Sequence, residues 1–233
     1  MSIYTVRRVN KEVNLISHLV SYPSIAWHLA EEGHIGQLNW DAYSDEVESR
    51  FYVLYNDYNL YVLLLTQGLH ETKPRANVRA FQGPVHLDSC LEFFLSYDPN
   101  HKRYMNIETN ALATKYIAVG DGRKNRYNPN AEEASSIIIE SVRFGDPALK
   151  RLKFDYDWGV FIHLPIRFLA SYWPEILDDE GNLNALKPGQ KIKGNFYKCG
   201  DDTEVPHFFS WSPIETEEPD FHRPEFFGQL IME

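Results

Sequence analysis

The residue best suited to do chemistry in this sequence is Glu92, because it is a carboxylic acid within an apolar stretch, residues 88–95. The composition of that stretch predicts a β-strand. Side chains alternate across a strand, so Glu92 shares one face with Cys90 and Phe94. An ionised carboxylate among such neighbours is costly unless it is hydrogen-bonded or opens to a ligand groove. Two interpretations follow: a structural carboxylate held by a nearby donor, or a ligand-binding carboxylate.

A second row of polar side chains follows further along the chain. Residues 103–110 alternate between polar and apolar side chains, which predicts another strand. Its polar face consists of Tyr104, Asn106, Glu108 and Asn110. One polar face is ordinary in an antiparallel sheet, so this row is either solvated surface or part of a binding face.

The elements that must position these residues are mostly strands. The clearest is a hairpin, in which residues 49–55 and 60–66 flank a turn rich in Asn and Asp. Further strands are predicted at residues 3–9, 137–144, 158–164 and 191–199. Pro165 can open a short helix, and residues 12–19 have weak helical spacing. We therefore predict an all-β fold, an antiparallel β-sandwich of jelly-roll or immunoglobulin-like type, with one or two short helices.

Length and charge limit the organisation and the partners of the chain. Its 233 residues suit a single sandwich domain over residues 1–233, in which residues 1–48 form a lead-in segment that wraps the domain. The net charge of −10 argues against nucleic-acid and membrane partners. No apolar run approaches the roughly 18 residues of a membrane helix, and no secretory leader is visible. With two cysteines that suit reduced thiols, we expect a cytoplasmic protein.

Several enzyme and metal signatures are missing from the sequence. It contains no nucleophile elbow, no phosphate-binding glycine loop, no His-Glu-x-x-His and no Cys-x-x-Cys, and its nine histidines are scattered. We therefore predict no catalytic residues, no zinc site and no cofactor. The remaining metal candidate is structural calcium at the acidic run of Glu215, Glu217, Glu218 and Asp220, although such runs are usually just solvated.

Four segments, taken together, resemble a known family. They are the hairpin at residues 51–65, the strand at 88–94, the segment 158–165, and the close of the chain from Trp211 through residues 221–228. In this order they resemble the family 9 carbohydrate-binding modules and the sandwich domains related to them. The resemblance spans about residues 49–232. It implies a β-sandwich that binds a mono- or oligosaccharide and does not catalyse a reaction.

The resemblance also implies roles for particular residues. In such modules a sugar lies between two aromatic side chains, while a Glu on the central strand bonds its hydroxyls. Glu92 falls on that Glu and Phe221 on one aromatic, whereas His86 stands at the other aromatic position and Glu108 where the family has an Arg. The residues predicted to bind sugar are His86, Glu92, Glu108, Asn110, Asn195, Lys198, Phe221 and His222. We expect donors such as Lys198 to keep Glu92 ionised.

Two alternative functions remain open. Some sandwich relatives of the family hold haem, and Met105, His86 and Lys198 are the conceivable ligands of a haem-binding electron carrier here. A glycan-processing enzyme is the other alternative, because a pair of carboxylates such as Glu92 and Glu108 is what glycoside hydrolysis requires. That reading fails if the two side chains point to opposite faces of the sheet.

Overall fold

The computed structural model of the protein describes residues 1–10, 13, 25–143 and 153–233. Apart from residue 13, the stretch with weak helical spacing at residues 12–19 lies outside the described residues. The strands are β1 (Ile3–Arg8), β2 (Gly33–Ile35), β3 (Gln37–Leu38), β4 (Val47–Asn56), β5 (Asn59–Gly68), β6 (Cys90–Ser96), β7 (Tyr104–Asn110), β8 (Lys115–Gly120), β9 (Ile138–Arg143), β10 (Trp158–Pro165), β11 (Lys191–Gly200), β12 (His207–Ser210) and β13 (Gly228–Met232).

Two layers of strands make up the fold. The order in one layer is β8-β7-β6-β11-β13, and in the other it is β4-β5-β10-β9. Within each layer the strand pairs are antiparallel. The predicted β-sandwich is therefore confirmed.

Strand β1 links the two layers, and it does so with parallel pairing. Its first part pairs with β13 and its last two residues pair with β4. Strands β2 and β3 pair with β4 and β12. Residues 1–48 are predicted as a lead-in that wraps the domain, but β1, β2 and β3 of this segment are part of the hydrogen-bonded sheet. The alternation at residues 3–8 was too loose to indicate which strands they would join.

The β4–β5 hairpin forms where the sequence predicts it. Asn56 Oδ1 accepts hydrogen bonds from the Tyr58 backbone N–H and the Asn59 side chain, at 3.0 and 2.9 Å, and so closes the turn. The register pairs Asn56 with Asn59. Both strands are almost entirely buried, because the hairpin is covered on its two faces.

Strand β6, which carries Glu92, packs against apolar side chains on both of its faces. Leu91, Phe93 and Leu95 point into the core between the layers, where Phe51 and Phe196 stack with ring centroids 3.7 Å apart. Burial of each large apolar side chain contributes about 1.5–3 kcal/mol. Cys90 and Phe94 of the same strand belong to a second apolar cluster on the outer face, together with Trp40, Val85, Tyr104, Tyr197, Cys199, Ile214, Phe221 and Phe227.

One short α-helix, α1 (Ile166–Ala170), begins directly after Pro165, as the sequence predicts, and buries Ile166, Phe168 and Leu169. The 3₁₀ turns are Ile25–Leu29, Val85–Leu87, Glu133–Ser136, Pro174–Ile176 and Pro224–Phe226. In the described part of the chain, no helix has the length and apolar character needed to cross a membrane.

Candidate functional site

The two carboxylates singled out in the sequence lie side by side on the outer face of the sheet. Glu92 of β6 and Glu108 of β7 are direct partners in the antiparallel register. Only 3% of Glu92 and 5% of Glu108 is exposed. Residues opposite each other on neighbouring antiparallel strands have Cβ atoms about 4.5–5.5 Å apart and point to the same face.

These two residues line a cleft of about 400 Å³. Five of the eight residues predicted to bind sugar line it: His86, Glu92, Glu108, Phe221 and His222. The other lining residues are Gln82, Pro84, Tyr116, Arg123, Arg126, Cys199, Asp201, Phe208 and Pro219. The sheet supplies one wall of the cleft, while the segments around His86 and Phe221 supply others.

Two thiols lie close to the Glu92 carboxylate. The Cys199 thiol donates to its Oε1 at 3.1 Å, and the Cys90 thiol lies 3.8 Å from the same oxygen. Burial raises the pKa of Glu92 well above its ordinary value, and the nearby Cys199 and Glu108 raise it further. The expectation that Lys198 keeps Glu92 ionised is therefore wrong, because that ammonium lies on the other face of the sheet.

Glu108 has stronger hydrogen-bonding support. Its Oε1 accepts from the Asn106 side chain at 2.7 Å, and His86 Nδ1 lies 3.9 Å from its Oε2. Burial raises the pKa of Glu108 to about 7, although the Asn106 hydrogen bond and the Arg126 guanidinium oppose the rise. Glu108 is therefore poised between its acid and carboxylate forms near neutral pH.

The aromatic part of the cleft is built around Phe221. Its ring stacks on Tyr197 with centroids 4.1 Å apart and an interplanar angle of 12°, and only 9% of the residue is exposed. Across the cleft, the His86 side chain is 45% exposed. Trp40 and Phe208 also lie beside the Phe221 ring, with centroids 6.0 and 6.1 Å away, so only a small part of Phe221 remains as a surface for an apolar group.

His222 closes the cleft beside Phe221. Its Nδ1 forms a hydrogen bond with the Tyr104 hydroxyl at 2.7 Å. Burial lowers the pKa of His222 to about 4, and the guanidinium groups of Arg126 and Arg123 act in the same direction. The imidazole is therefore neutral at pH 7 and serves as a hydrogen-bonding ring rather than as a cation.

Comparison with known proteins decides the family. The sequence model of carbohydrate-binding family 9 matches residues 25–232, which is most of the chain. The chain belongs to carbohydrate-binding family 9. No protein with a curated function matches it by sequence.

Solved structures share the fold of this family 9 chain. A Bacteroides uniformis protein with a proposed carbohydrate-binding role is 25% identical, with a TM-score of 0.75 and coverage of 99% of both chains. Two structures of a family 9 module from Caldicellulosiruptor kristjanssonii contain glucose and cellotriose. The glucose complex is 12% identical with a TM-score of 0.59, covering 100% of this chain and 96% of the module. The cellotriose complex is 11% identical with a TM-score of 0.60, covering 100% and 94%.

Three residues predicted to bind sugar do not line the cleft of this family 9 chain. Asn110 bonds to the Val78 carbonyl and to Asp88, both at 2.8 Å, and its side-chain oxygen accepts from two backbone N–H groups. Asn195 is held by the backbone of Ser212, at 3.0 and 2.8 Å. Lys198 is paired with Leu91 in the register, so it points to the inner face. The structure gives all three a local structural partner.

The side chain of Lys198 belongs to a buried cluster that we call the Glu71–Lys198 network. Its members are Glu71, Ser89, Trp158, Lys198 and His207. The Lys198 Nζ lies 3.1 Å from Glu71 Oε1 and 2.6 Å from His207 Nε2. Ser89 and the Trp158 indole N–H donate to Glu71. Burial alone would raise the pKa of Glu71, but Lys198 and these hydrogen bonds lower it overall.

The three conceivable haem ligands do not lie together in the structure. Met105 lies in the core between the layers, and Lys198 is held in the Glu71–Lys198 network. His86 lines the cleft on the outer face. Met105 and Lys198 therefore lie on the inner side of the sheet and His86 on the outer side, so the three do not share one site.

Arg126 is one of the cleft residues that the sequence does not predict. It comes from the polar loop after β8, and its Nη2 donates to Asn106 Oδ1 at 2.5 Å. The guanidinium lies over the Tyr104 ring, with Cζ 4.2 Å from the centroid. Its Nε is buried and has no hydrogen-bond partner among the described residues. An Arg from a loop thus stands near enough to Glu108 to affect its pKa, and no periodic signal in the sequence marks such a residue.

The acidic run predicted as a calcium site can be compared with the groups of potential metal ligands that the structure brings together. Among the described residues, two groups bring three potential ligand atoms within 4.8 Å of one another: Cys90, Glu92 and Cys199, and the more exposed Asp98, His101 and Glu175. The acidic run at residues 215–220 forms no such group. Its Asp220 instead pairs with Arg123 at 3.1 Å.

A larger cleft of about 1070 Å³ lies elsewhere on the molecule. Its lining includes Arg103, Tyr127, Glu133 and Tyr172, and none of the eight residues predicted to bind sugar. Glu133 is occupied there by a hydrogen bond from the Tyr127 hydroxyl at 2.5 Å. Size alone therefore does not identify the binding site, because the buried carboxylates with raised pKa values lie in the smaller cleft.

Proposed function

We propose that this chain binds a short carbohydrate in the cleft beside Glu92 and Glu108, without catalysing a reaction. The observation that carries the proposal is the combination, in one cleft of a family 9 chain, of ring surfaces with convergent polar groups. Its volume of about 400 Å³ is near the lower end of small-molecule pockets, which suits one or two sugar units.

The chemistry of the cleft suits a sugar. The C–H face of a pyranose packs on rings, and Phe221 and His86 offer such surfaces. Sugar hydroxyls both donate and accept, and Glu108 provides an acceptor when ionised. The Nε–H of Arg126 has no partner in the described part of the chain and is a buried donor in a residue that lines the cleft. A hydroxyl that meets both groups would form charge-assisted hydrogen bonds.

The arrangement of the carboxylates favours binding over hydrolysis. Glu92 and Glu108 point to the same face of the sheet, so the enzyme alternative is not excluded by their direction. However, hydrolysis requires two carboxyl groups that flank the scissile bond. These two residues lie on adjacent strands of a single wall, and one of them is hydrogen-bonded to a thiol. They can contact one side of a sugar but not both.

Calorimetric titration with glucose and cellotriose at pH 8 tests the proposal, because these sugars occupy the related family 9 structures. Glu108→Gln removes a charged acceptor worth about 1.5–3 kcal/mol, so affinity should fall at least tenfold. Glu133→Gln, in the larger cleft, is the matched control and should bind like the wild type. Equal affinity for wild type and Glu108→Gln would overturn the assignment, and release of glucose from cellotriose would overturn the non-catalytic role.

A further inference from the structure

The fold brings together the two cysteines of the chain, which lie on strands far apart in sequence. Cys90 of β6 and Cys199 of β11 are direct partners in the antiparallel register. Both are free thiols, and both are buried on the outer face of the sheet. Glu92, two residues along β6, reaches the same place because it shares that face. The two sulfurs and a carboxylate oxygen all lie within 4.8 Å of one another.

The distances in this cluster match those around a tetrahedral metal ion. Zinc–sulfur bonds of about 2.3 Å and zinc–oxygen bonds of about 2.1 Å place sulfur and oxygen ligands roughly 3.6 Å apart and two sulfurs roughly 3.8 Å apart. The observed Sγ–Oε1 distances of 3.1 Å for Cys199 and 3.8 Å for Cys90 bracket the first value. Small side-chain rotations are therefore enough to admit an ion.

We propose that Cys90, Cys199 and Glu92 form a binding site for a thiophilic divalent cation of the Zn²⁺ class. Two thiolates and one carboxylate are a donor set that selects such ions over Ca²⁺ and Mg²⁺, which prefer oxygen alone. The proposal does not depend on sugar binding, since it rests on the cysteines and on the register of β6 and β11.

The site has an open coordination position toward the cleft. Glu92 and Cys199 line the cleft, whereas Cys90 lies behind them. Three protein ligands leave the fourth tetrahedral position to a water molecule or to an exogenous group that enters from the cleft. Closed structural zinc sites have four protein ligands, so this ion would be accessible and exchangeable.

Charge also favours an ion at this position. Two thiolates and a carboxylate buried together would repel one another, and a divalent cation offsets most of that charge. Two cations of this region are held by other groups: Lys198 by Glu71 on the inner face, and Arg126 by Asn106. Among the described residues, neither donates a hydrogen bond to the Glu92 carboxylate or to a cysteine sulfur, and Lys198 Nζ reaches only the backbone carbonyl of Cys199, at 3.1 Å.

The alternative reading is a pair of reduced thiols that merely hydrogen-bond to Glu92. Titration of the full chain with Co²⁺ under reducing conditions separates the two readings, because Co²⁺ bound by thiolates gives charge-transfer absorption that oxygen ligands do not. We expect one equivalent of Co²⁺ to give these bands and one equivalent of Zn²⁺ to abolish them. No charge-transfer band from the folded wild type at excess Co²⁺ would overturn the proposal, whatever the variants show.

Variants then assign the ligands. Cys90→Ser and Cys199→Ser should each lose the charge-transfer bands, and Glu92→Gln should bind Co²⁺ at least tenfold more weakly. His101→Ala is the matched control, because it disrupts the other potential ligand group, with Asp98 and Glu175, and should retain full absorption. Bands that survive in both cysteine variants would contradict the assignment. Thiol alkylation of the wild type gives a check that needs no variant, since Zn²⁺ should slow the labelling of Cys90 and Cys199 and unchanged labelling would count against the site.

Discussion

Two buried carboxylate centres lie on opposite faces of the sheet that contains β6 and β11, and they differ in how they are neutralised. In the Glu71–Lys198 network the carboxylate meets an ammonium at 3.1 Å and accepts further hydrogen bonds, and the pKa of Glu71 is lowered. On the outer face, no ammonium of the described residues pairs with Glu92 or Glu108 in this way, and burial raises the pKa of both.

This difference in pairing indicates which centre supports the fold and which is available for a ligand. The Glu71–Lys198 network is complete, because each charge has a partner within the protein. The Glu92 and Glu108 centre faces a cleft, and its nearest guanidinium, Arg126, is mainly bonded to Asn106 and to backbone carbonyls. A group that enters the cleft can supply the hydrogen bonds or the charge that the protein leaves out.

The largest expected effect concerns the complete centre. Lys198→Met removes one partner of a buried ion pair and leaves Glu71 without its cation, so it should reduce the free energy of unfolding by about 3–5 kcal/mol. Urea denaturation measures this loss. Lys191→Met, an exposed position on the same strand, is the control and should change stability by less than about 0.5 kcal/mol. Similar stability of the two variants would show that the network is not the stabilising centre we describe.

At Glu108 we expect a smaller effect of opposite sign, in which the substitution raises the free energy of unfolding relative to the wild type as the pH rises. Its pKa is about 7 in the folded protein and about 4.5 when unfolded, so its contribution to stability is complete below pH 4.5 and is lost as the pH rises through 7. The Glu108→Gln variant has no carboxyl group at this position, so it does not lose stability in this way as the pH rises. Between pH 5 and pH 8 the variant should therefore gain on the wild type by on the order of 2–3 kcal/mol.

Denaturation at both pH values, with a chelator present to exclude metal effects, checks the Glu108 prediction. The exposed Glu132→Gln variant serves as control and should follow the wild type. If Glu108→Gln loses stability relative to the wild type as the pH rises, then Glu108 resembles Glu71 and the contrast between the two centres fails.

His222 should contribute a dependence of similar size at acidic pH. Its pKa is lowered to about 4, so the stability it contributes is present above pH 6.5 and is lost as the pH falls toward 4. The charged or titratable groups that influence it are Arg123, Arg126, Asp220 and His86. His222→Gln keeps a hydrogen-bonding partner for Tyr104 but cannot titrate. Its loss of stability between pH 7 and pH 4 should be smaller than that of the wild type by on the order of 2–3 kcal/mol.

The exposed His101→Gln variant is the control for His222 in the same denaturation series. Its acid profile should match that of the wild type. An acid profile of His222→Gln that also matches would mean that the buried imidazole takes up a proton without cost.

The smallest effect on stability is expected at His86, which is nearly half exposed. His86→Ala should change the free energy of unfolding by less than about 0.5 kcal/mol, as is usual for surface positions. Sugar affinity should nevertheless fall severalfold, because a ring contact contributes about 0.5–1.5 kcal/mol. Calorimetry beside denaturation measures both quantities. A loss of stability without any loss of affinity would place His86 among the structural residues.

Much of the fold, and part of the cleft, follows from the alternation of side chains. The pattern in β6 correctly assigns Leu91 and Phe93 to the core and Glu92 to the other face. The alternation in β11 already sets Lys198 on the face opposite Cys199, so the expectation that Lys198 supports Glu92 conflicted with information in the sequence.

Other features depend on long-range geometry that no local pattern contains. The pairing of Cys90 with Cys199 requires the register between strands that are distant in sequence. Arg126 reaches the cleft through the path of an irregular loop, which has no period from which its direction could be inferred. The parallel pairing of β1 with both layers is of the same kind, since a strand pattern does not name its neighbours.

The structure of the protein with cellotriose at saturation tests the central claim most directly. The account predicts a sugar unit in the cleft, within hydrogen-bonding distance of Glu108 and the Arg126 guanidinium, and with one face against Phe221 or His86. A sugar bound instead in the larger cleft beside Tyr127 and Tyr172, with the Glu108 cleft occupied only by water, would contradict it.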